Sequence, residues 1–206
     1  MSKQRSAIIL VVGVTVVVVA VKIFLSISAR PIDPALMRAK GDPKAKVQII
    51  EFIDFQCPAC AAGALKLKEY FAGHPDDIHV AMKYFPLIAA HKHAMTSSMY
   101  TECAARQGKF WALHDILVER QAQWSPLISA EGMFTQFARE AGMDEKALRS
   151  CLASGDLEQS IMQDRDLGRS LGVQSTPTYF INNKMVVGSK SLVDELDQYF
   201  PSSTKK

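Results

Sequence analysis

Two cysteines, Cys57 and Cys60, are the residues whose type and spacing best suit chemistry, and they flank Pro-Ala in the stretch FQCPAC. A C-x-x-C pair can be a redox-active dithiol, half of a zinc site or a tight structural disulfide. Zinc would need two more ligands at a suitable spacing. The remaining cysteines, Cys103 and Cys151, are isolated from each other, and the HKH segment at 91–93 is typical of a solvated loop. The pattern therefore favours a redox dithiol and predicts no metal site.

A helix that begins at or just before Cys57 would give the two sulfurs different roles. Helical spacing places Cys60, Ala64 and Leu67 on one apolar stripe, which turns Cys60 toward the core. Cys57 stays at the helix N-terminus, where free backbone N–H groups and the helix dipole lower the pKa of a thiol. Pro58 suits the first turn, because its missing N–H has no partner to lose there. We therefore expect Cys57 to be the nucleophile.

The predicted elements around the dithiol indicate an α/β fold. Apolar strands at 47–53 and 78–84 bracket the helix, and two short strands return at 178–182 and 184–188. Mainly helical patterns fill the sequence between these two pairs, and a closing helix follows at 191–200. Strands that alternate with helices predict an α/β sheet, with the helical block inserted as a lid or subdomain.

An apolar segment at residues 7–25 precedes this domain. It is long enough to span a bilayer, which takes roughly 20 residues. The two positive residues before it predict that the tip at 1–6 stays in the cytoplasm and the rest is exported. Residues 26–46 contain three prolines, a glycine and several charges, and are predicted to be a linker. A cleaved signal peptide with its apolar core at 7–21 is the alternative.

The overall composition is that of a globular protein with one domain and an anchor. The chain has 206 residues, of which 48% are hydrophobic and 22% charged. Its net charge of +3 is too small to argue for nucleic acid as a partner.

Four stretches in the same order resemble the DsbA-like branch of the thioredoxin superfamily: EFIDFQCPAC, MKYFPL, CAARQGKFWALHDIL and LGVQSTPTYFINN. The resemblance covers residues 47–199 and implies a thioredoxin fold interrupted by a helical insertion at about 88–168. Residues 200–206 are then a tail. The resemblance also implies that Cys57 is the substrate-linked nucleophile and Cys60 the buried resolving cysteine.

Further site residues follow from the same resemblance. Thr176-Pro177 matches the loop where the family has a cis-proline facing the dithiol, whose exposed backbone can pair with an extended substrate. The alternative is a trans proline that starts a strand. Glu51 and Lys83 match the family's buried acidic–basic pair beneath the active site, and strand alternation predicts that Glu51 points into the core. The alternative is two edge-strand charges that reach solvent.

Cys103 and Cys151 form the second candidate pair. An even number of cysteines in an exported domain favours a second disulfide. Several DsbA-like proteins have a bridge in this subdomain, and the contexts here are similar, so we expect a structural disulfide. Two buried free thiols are the alternative.

The resemblance implies a membrane-anchored oxidoreductase, without a cofactor of its own, that donates its Cys57–Cys60 disulfide to cysteine-containing exported proteins. The site would face the periplasm or cell exterior, and a quinone-linked membrane partner of the DsbB or vitamin-K-epoxide-reductase type would reoxidise it. Ala59 stands where the best-known oxidants have histidine, and Thr176 before Pro177 is commoner in isomerases and reductants. A reductase or isomerase of the same fold is therefore an alternative, as is a non-catalytic thioredoxin-like chaperone module.

Overall fold

A computed structural model describes residues 37–201 and is built around a five-stranded sheet in the order β1-β3-β2-β4-β5. The strands are β1 (Ala39–Lys40), β2 (Val47–Ile53), β3 (Ile78–Tyr84), β4 (Thr178–Ile181) and β5 (Lys184–Val187). Strands β2 and β3 are parallel, and the other neighbouring pairs are antiparallel. The predicted α/β sheet is confirmed, and the strands predicted at 47–53 and 78–84 have the predicted bounds.

Within residues 37–201, one helix connects β2 to β3, six lie between β3 and β4, and one follows β5. They are α1 (Pro58–Gly73), α2 (Ala94–Arg106), α3 (Phe110–Glu119), α4 (Gln121–Trp124), α5 (Glu131–Glu140), α6 (Glu145–Leu152), α7 (Leu157–Ser170) and α8 (Ser189–Tyr199). Helices α2 and α3 are separate elements, because Gly108 adopts a positive φ of 66° between them. Helices α2 to α7 form the helical insertion.

Helices cover both faces of the sheet. On one face, Val47 and Ile49 of β2 belong to the same apolar cluster as Leu67 of α1 and Leu192 of α8. On the other face, α7 crosses close to the ring of Phe52, and a Cβ added at Gly168 would lie 2.9 Å from that ring. These packing contacts bury β2 between two helical layers, which is the environment that an almost uninterrupted apolar strand requires.

The predicted linker is wrong in its last part, because the residues from 37 to 46 belong to the folded domain. Strand β1 pairs with β3 in the register Ala39↔Ala81, which gives the edge of β3 a partner. The side chain of Arg38 is buried and forms ion pairs with Glu102 of α2 and with Asp164 of α7, the latter at 2.6 Å. A buried guanidinium persists only with such partners, so this segment is attached to the insertion.

The predicted tail also begins too early, since Phe200 is buried and stacks on His74 with 4.1 Å between ring centroids. The predicted cytoplasmic tip at 1–6, the anchor at 7–25, the linker up to residue 36 and the tail at 202–206 lie outside the described residues. Within residues 37–201, none of the helices has the length and apolar character that crossing a membrane requires.

A disulfide joins Cys103 of α2 to Cys151 of α6, with an S–S distance of 2.06 Å. It links two helices of the insertion through cysteines that are 48 residues apart in sequence. The bridge therefore closes a long loop, and it restricts the unfolded chain more than a short one would.

Removing this bridge should destabilise the domain by about 4 kcal/mol, the chain-entropy value for a loop of this length. The test compares denaturant unfolding of Cys103→Ala/Cys151→Ala with that of the bridged protein. Both proteins carry Cys57→Ser and Cys60→Ser, so that only the one disulfide differs. A loss below about 1 kcal/mol would contradict a stabilising role for the bridge.

Candidate active site

Cys57 and Cys60 lie where β2 leads into α1. Cys57 is the N-cap of the helix, with extended backbone angles, and Pro58 occupies the first helical position. The Cys57 N–H donates to the Asp54 carbonyl (3.1 Å), while the Cys57 carbonyl accepts from the N–H of Cys60 (3.0 Å). Cys57 is 7% exposed and Cys60 is 1% exposed. The two cysteines are not bonded to each other, so the structure contains the dithiol form.

A second loop meets the dithiol from the end of the sheet. The peptide bond between Thr176 and Pro177 is cis, directly before β4. The thiol of Cys57 donates to the carbonyl of Thr176 at 3.5 Å. Helix α1 can approach this loop because Gly63 has no side chain: a Cβ there would lie 2.1 Å from the Tyr179 hydroxyl oxygen and 3.6 Å from the ring of Pro177. The backbone before the proline therefore faces the cysteine.

The two thiols have opposite ionisation properties. A hydrogen bond with Cys60 is the largest cause that lowers the pKa of Cys57 to about 5; burial opposes it, while Thr176 and the N–H groups of Ala59 and Cys60 add to it. Burial is the largest cause that raises the pKa of Cys60 well above the usual range. At neutral pH the arrangement holds Cys57 as a thiolate and Cys60 as a thiol, and this combination suits thiol–disulfide exchange.

The reduced protein should react with iodoacetamide at Cys57, with the rate rising with pH around a midpoint near 5. The Cys60→Ala variant should shift this midpoint upward, because it removes the strongest hydrogen bond to the thiolate. Cys60→Ser, which retains a donor, should lie between them. Mass spectrometry locates the alkylated residue. A wild-type midpoint near the usual thiol value of about 8.5 would contradict the stabilised thiolate.

Beneath the dithiol, Glu51 is buried on the core face of β2. It pairs across the sheet with Met82 on β3 and Tyr179 on β4. Among residues 37–201, no hydrogen-bond partner contacts either carboxylate oxygen. Burial raises the pKa of Glu51, whereas the nearby charges of His114 and Lys40 lower it. The prediction that Glu51 points into the core is confirmed.

The predicted partner of Glu51 is wrong. Lys83 lies opposite Phe52 in the β2–β3 register, so its side chain leaves the sheet on the other face. Its ammonium group is 3.0 Å from Asp164 of α7. Lys40 of β1 provides a positive charge near Glu51 instead, and its ammonium lies 3.9 Å from the ring centroid of Trp111.

Glu51→Gln should increase the free energy of unfolding of the reduced protein, and the increase should grow with pH. The folded-state pKa of Glu51 is raised, so its stabilising contribution is present below the unfolded pKa and is lost as pH rises through the folded pKa. Between the unfolded-state and the folded-state pKa of Glu51, the difference in free energy of unfolding between Glu51→Gln and wild type should grow by up to about 1.4 kcal/mol per pH unit.

Denaturant unfolding between pH 4.5 and 8 measures this difference, with the exposed Glu69→Gln on α1 as the control. A difference between Glu51→Gln and wild type that is constant with pH would show that Glu51 does not titrate as described.

Asp54 also belongs to the site, although the sequence motif did not single it out. Its buried carboxylate accepts from the N–H groups of Gln56 (2.7 Å) and Leu87 (2.8 Å), and contacts His91 Nδ1 at 2.8 Å. Asp54 directly follows β2 and lies three residues before Cys57. An aspartate at such a position often accepts from the backbone N–H two residues later, and this could have predicted its role in the turn.

The predicted solvation of the HKH segment is wrong for both of its histidines. His91 bonds to Asp54, and His93 is buried with Nε2 2.8 Å from the Leu127 carbonyl. The segment 91–93 is therefore bonded to the turn before Cys57 through His91 and to the insertion through His93.

The sheet is mixed and flanked by helices, the C-x-x-C lies at a helix N-terminus, and a cis-proline loop lies beside it. These features together define a thioredoxin-like protein. The Thioredoxin family model matches residues 36–199, and the chain belongs to this family. The chain is also similar to two Na⁺/H⁺ antiporters: NhaA 3 of Salinispora tropica (29% identity, 75% of this chain, 23% of the antiporter) and NhaA 1 of Mycolicibacterium gilvum (29%, 75% and 25%). The chain thus spans about a quarter of the length of these relatives.

The fold is shared with solved structures, including the following three. BdbD from Bacillus subtilis has a TM-score of 0.66 at 18% identity, covering 80% of this chain and 93% of BdbD. For α-DsbA1 from Wolbachia pipientis the TM-score is 0.65 at 20% identity, with 78% and 89% covered. For a protein-disulfide isomerase from Novosphingobium aromaticivorans it is 0.66 at 20% identity, with 80% and 97% covered. The helical insertion is therefore part of a fold found in DsbA-like proteins.

Proposed function

We propose that this protein is a thiol:disulfide oxidoreductase that introduces disulfides into exported proteins through Cys57 and Cys60. The observation that carries the proposal is the placement of Cys57 as the N-cap of α1, beside the Cys60 thiol and the N–H groups of the first turn, with its pKa lowered to about 5. A thiolate at that position is both an attacking group and a good leaving group.

In the forward reaction, the enzyme begins with a Cys57–Cys60 disulfide. A client thiolate attacks the Cys57 sulfur, a new S–S bond forms, and the Cys60 sulfur leaves and takes up a proton, as its raised pKa favours. A second client thiolate then attacks the client sulfur of the mixed disulfide, and Cys57 leaves as a thiolate. The client loses two electrons to form its disulfide, and the enzyme gains them as a dithiol.

The loop of Thr176 and Pro177 is the proposed substrate-binding element. Its Thr176 carbonyl points at the Cys57 sulfur, so an extended client segment that pairs with this backbone would bring its cysteine to the site. The buried Glu51 is proposed to influence the pKa values of the two thiols. Tyr179 lies near both Glu51 and the two cysteines, and Lys40 and His114 lie near Glu51 in place of Lys83, the partner that the family resemblance implied.

The lowered pKa of Cys57 supports the proposed direction of electron flow. A site that stabilises the thiolate stabilises the reduced enzyme, and that makes the disulfide form the stronger oxidant. We therefore assign an oxidase. Isomerase activity is the second candidate, favoured by Thr176 before Pro177 and by the likeness to a structure described as a protein-disulfide isomerase. Ala59 in place of histidine also weakens the analogy with the best-known oxidants.

We further propose that residues 7–25 anchor the protein in the cytoplasmic membrane, with the catalytic domain in the periplasm or at the cell exterior. The Cys103–Cys151 disulfide supports this compartment, because such bonds persist under oxidising conditions. A quinone-linked membrane protein of the DsbB or vitamin-K-epoxide-reductase type would accept the two electrons from the dithiol. The antiporter relatives are matched over about a quarter of their length, and ion transport is not proposed for this chain.

Two assays test this activity with wild type and Cys57→Ala. Wild type should accelerate dithiothreitol-dependent insulin reduction, and Cys57→Ala should fall to the uncatalysed rate. The oxidised protein should also convert a reduced two-cysteine peptide to its disulfide in equal amount, with Cys57→Ala inactive. Equal insulin rates for the two proteins would refute the enzyme and favour a non-catalytic chaperone module. Insulin reduction without peptide oxidation would refute the oxidase and favour the reductase or isomerase.

A further inference from the structure

The side chain of Gln121 connects the helical insertion to the turn that carries Cys57. Gln121 is the first residue of the short helix α4, and its amide group donates to two backbone carbonyls, those of Phe55 (2.7 Å) and Cys57 (3.0 Å). These carbonyls lie on either side of Gln56. One side chain therefore holds both ends of the three-residue segment that leads into α1.

The two carbonyls depend on Gln121 to different degrees. Phe55 is 1% exposed, and among residues 37–201 its carbonyl accepts from Gln121 and from no backbone N–H. A buried carbonyl without a donor is unfavourable, so the turn would rearrange if Gln121 were removed. The Cys57 carbonyl already accepts from the N–H groups of Cys60 and Ala61 in the first turn of α1. Gln121 adds a donor from outside the helix and so restricts the rotation of this peptide group.

Gln56, which belongs to the turn, bonds to the segment before α2 and to the insertion through its own side chain. Its side-chain oxygen accepts from the His93 N–H (2.7 Å), and its amide nitrogen donates to the Ser125 carbonyl (2.9 Å). The turn is thus bonded to the insertion on two sides, but of these bonds only the one from Gln121 reaches the peptide group of Cys57 itself.

We propose that Gln121 is a positioning residue for the Cys57 thiolate. Its amide keeps the Phe55 carbonyl turned toward α4 and restrains the Cys57 peptide group, and this arrangement leaves the N–H groups at the start of α1 directed at the sulfur. Without Gln121, the Phe55 carbonyl has no donor and is free to turn toward the sulfur, where its partial negative charge opposes the thiolate. The Cys57 carbonyl keeps its bonds from the N–H groups of Cys60 and Ala61 but loses the donor from outside the helix. The proposal deepens the function given above, since it concerns the reactivity of the proposed nucleophile.

The test measures iodoacetamide alkylation of Cys57 in the reduced protein between pH 3.5 and 9. Gln121→Met retains the length of the side chain and removes the donor. Its midpoint should lie about one pH unit above that of wild type, with a rate up to ~10-fold lower at pH values below both midpoints. The rate at high pH should be unchanged, because the sulfur remains equally accessible. Gln123→Met, an exposed position on the same helix, is the matched control and should behave as wild type.

A second variant, Gln121→Glu, keeps the shape of the side chain and replaces the amide by a carboxylate; its midpoint should rise at least as far. This variant decides the question if Gln121→Met fails to fold. Unchanged midpoints in the folded variants would overturn the proposal, even if their melting temperatures fell. Alkylation requires no turnover, so its outcome is independent of the insulin and peptide assays that test the proposed function.

Discussion

The negative charge on the Cys57 sulfur has to be stabilised inside a largely buried site, and much of the structure is arranged around this requirement. The hydrogen bond from Cys60 and the first N–H groups of α1 supply the stabilisation against the opposing effect of burial. The same burial keeps Cys60 protonated. An asymmetric dithiol of this kind arises only if helix, loop and sheet meet at one point.

The elements that meet at this point come from distant parts of the chain. Strand β2 ends at the turn of Asp54, the Thr176–Pro177 loop arrives before β4, and Gln121 approaches from the insertion. Arg38 adds a further connection, because its buried guanidinium joins the segment before β1 to α2 and α7. The insertion is therefore fastened both at the active-site turn and at the start of the domain, so it cannot be regarded only as a lid.

The sequence allowed much of this arrangement to be predicted, because the informative signals are local. The apolar runs of β2 and β3, the proline after Cys57 and the spacing of Cys60 with Leu67 all depend on a few neighbouring residues. The predicted pairing of Glu51 with Lys83 was wrong, because the sequence of one strand does not determine its register with the next. In the β2–β3 register Glu51 is opposite Met82, and this places Lys83 on the other face.

Other features could not be read from sequence because they depend on long-range partners. The residues after 36 look like a linker by composition, yet Arg38 pairs with residues 64 and 126 positions away. His91 and His93 look solvated until Asp54 and Leu127 are brought beside them. Gln121 has no motif at all, and its role emerges only when α4 lies against the turn before α1.

The reduction potential of the Cys57–Cys60 pair tests the central claim most directly. The protein is equilibrated in glutathione buffers of graded composition, and the oxidised fraction is measured after acid quenching and thiol alkylation. A thiolate stabilised as described predicts a potential clearly above that of thioredoxin, between about −270 mV and the value of about −120 mV for the strong oxidant DsbA. A potential near that of thioredoxin, about −270 mV, would contradict the account, because the reduced form would then have no special stabilisation.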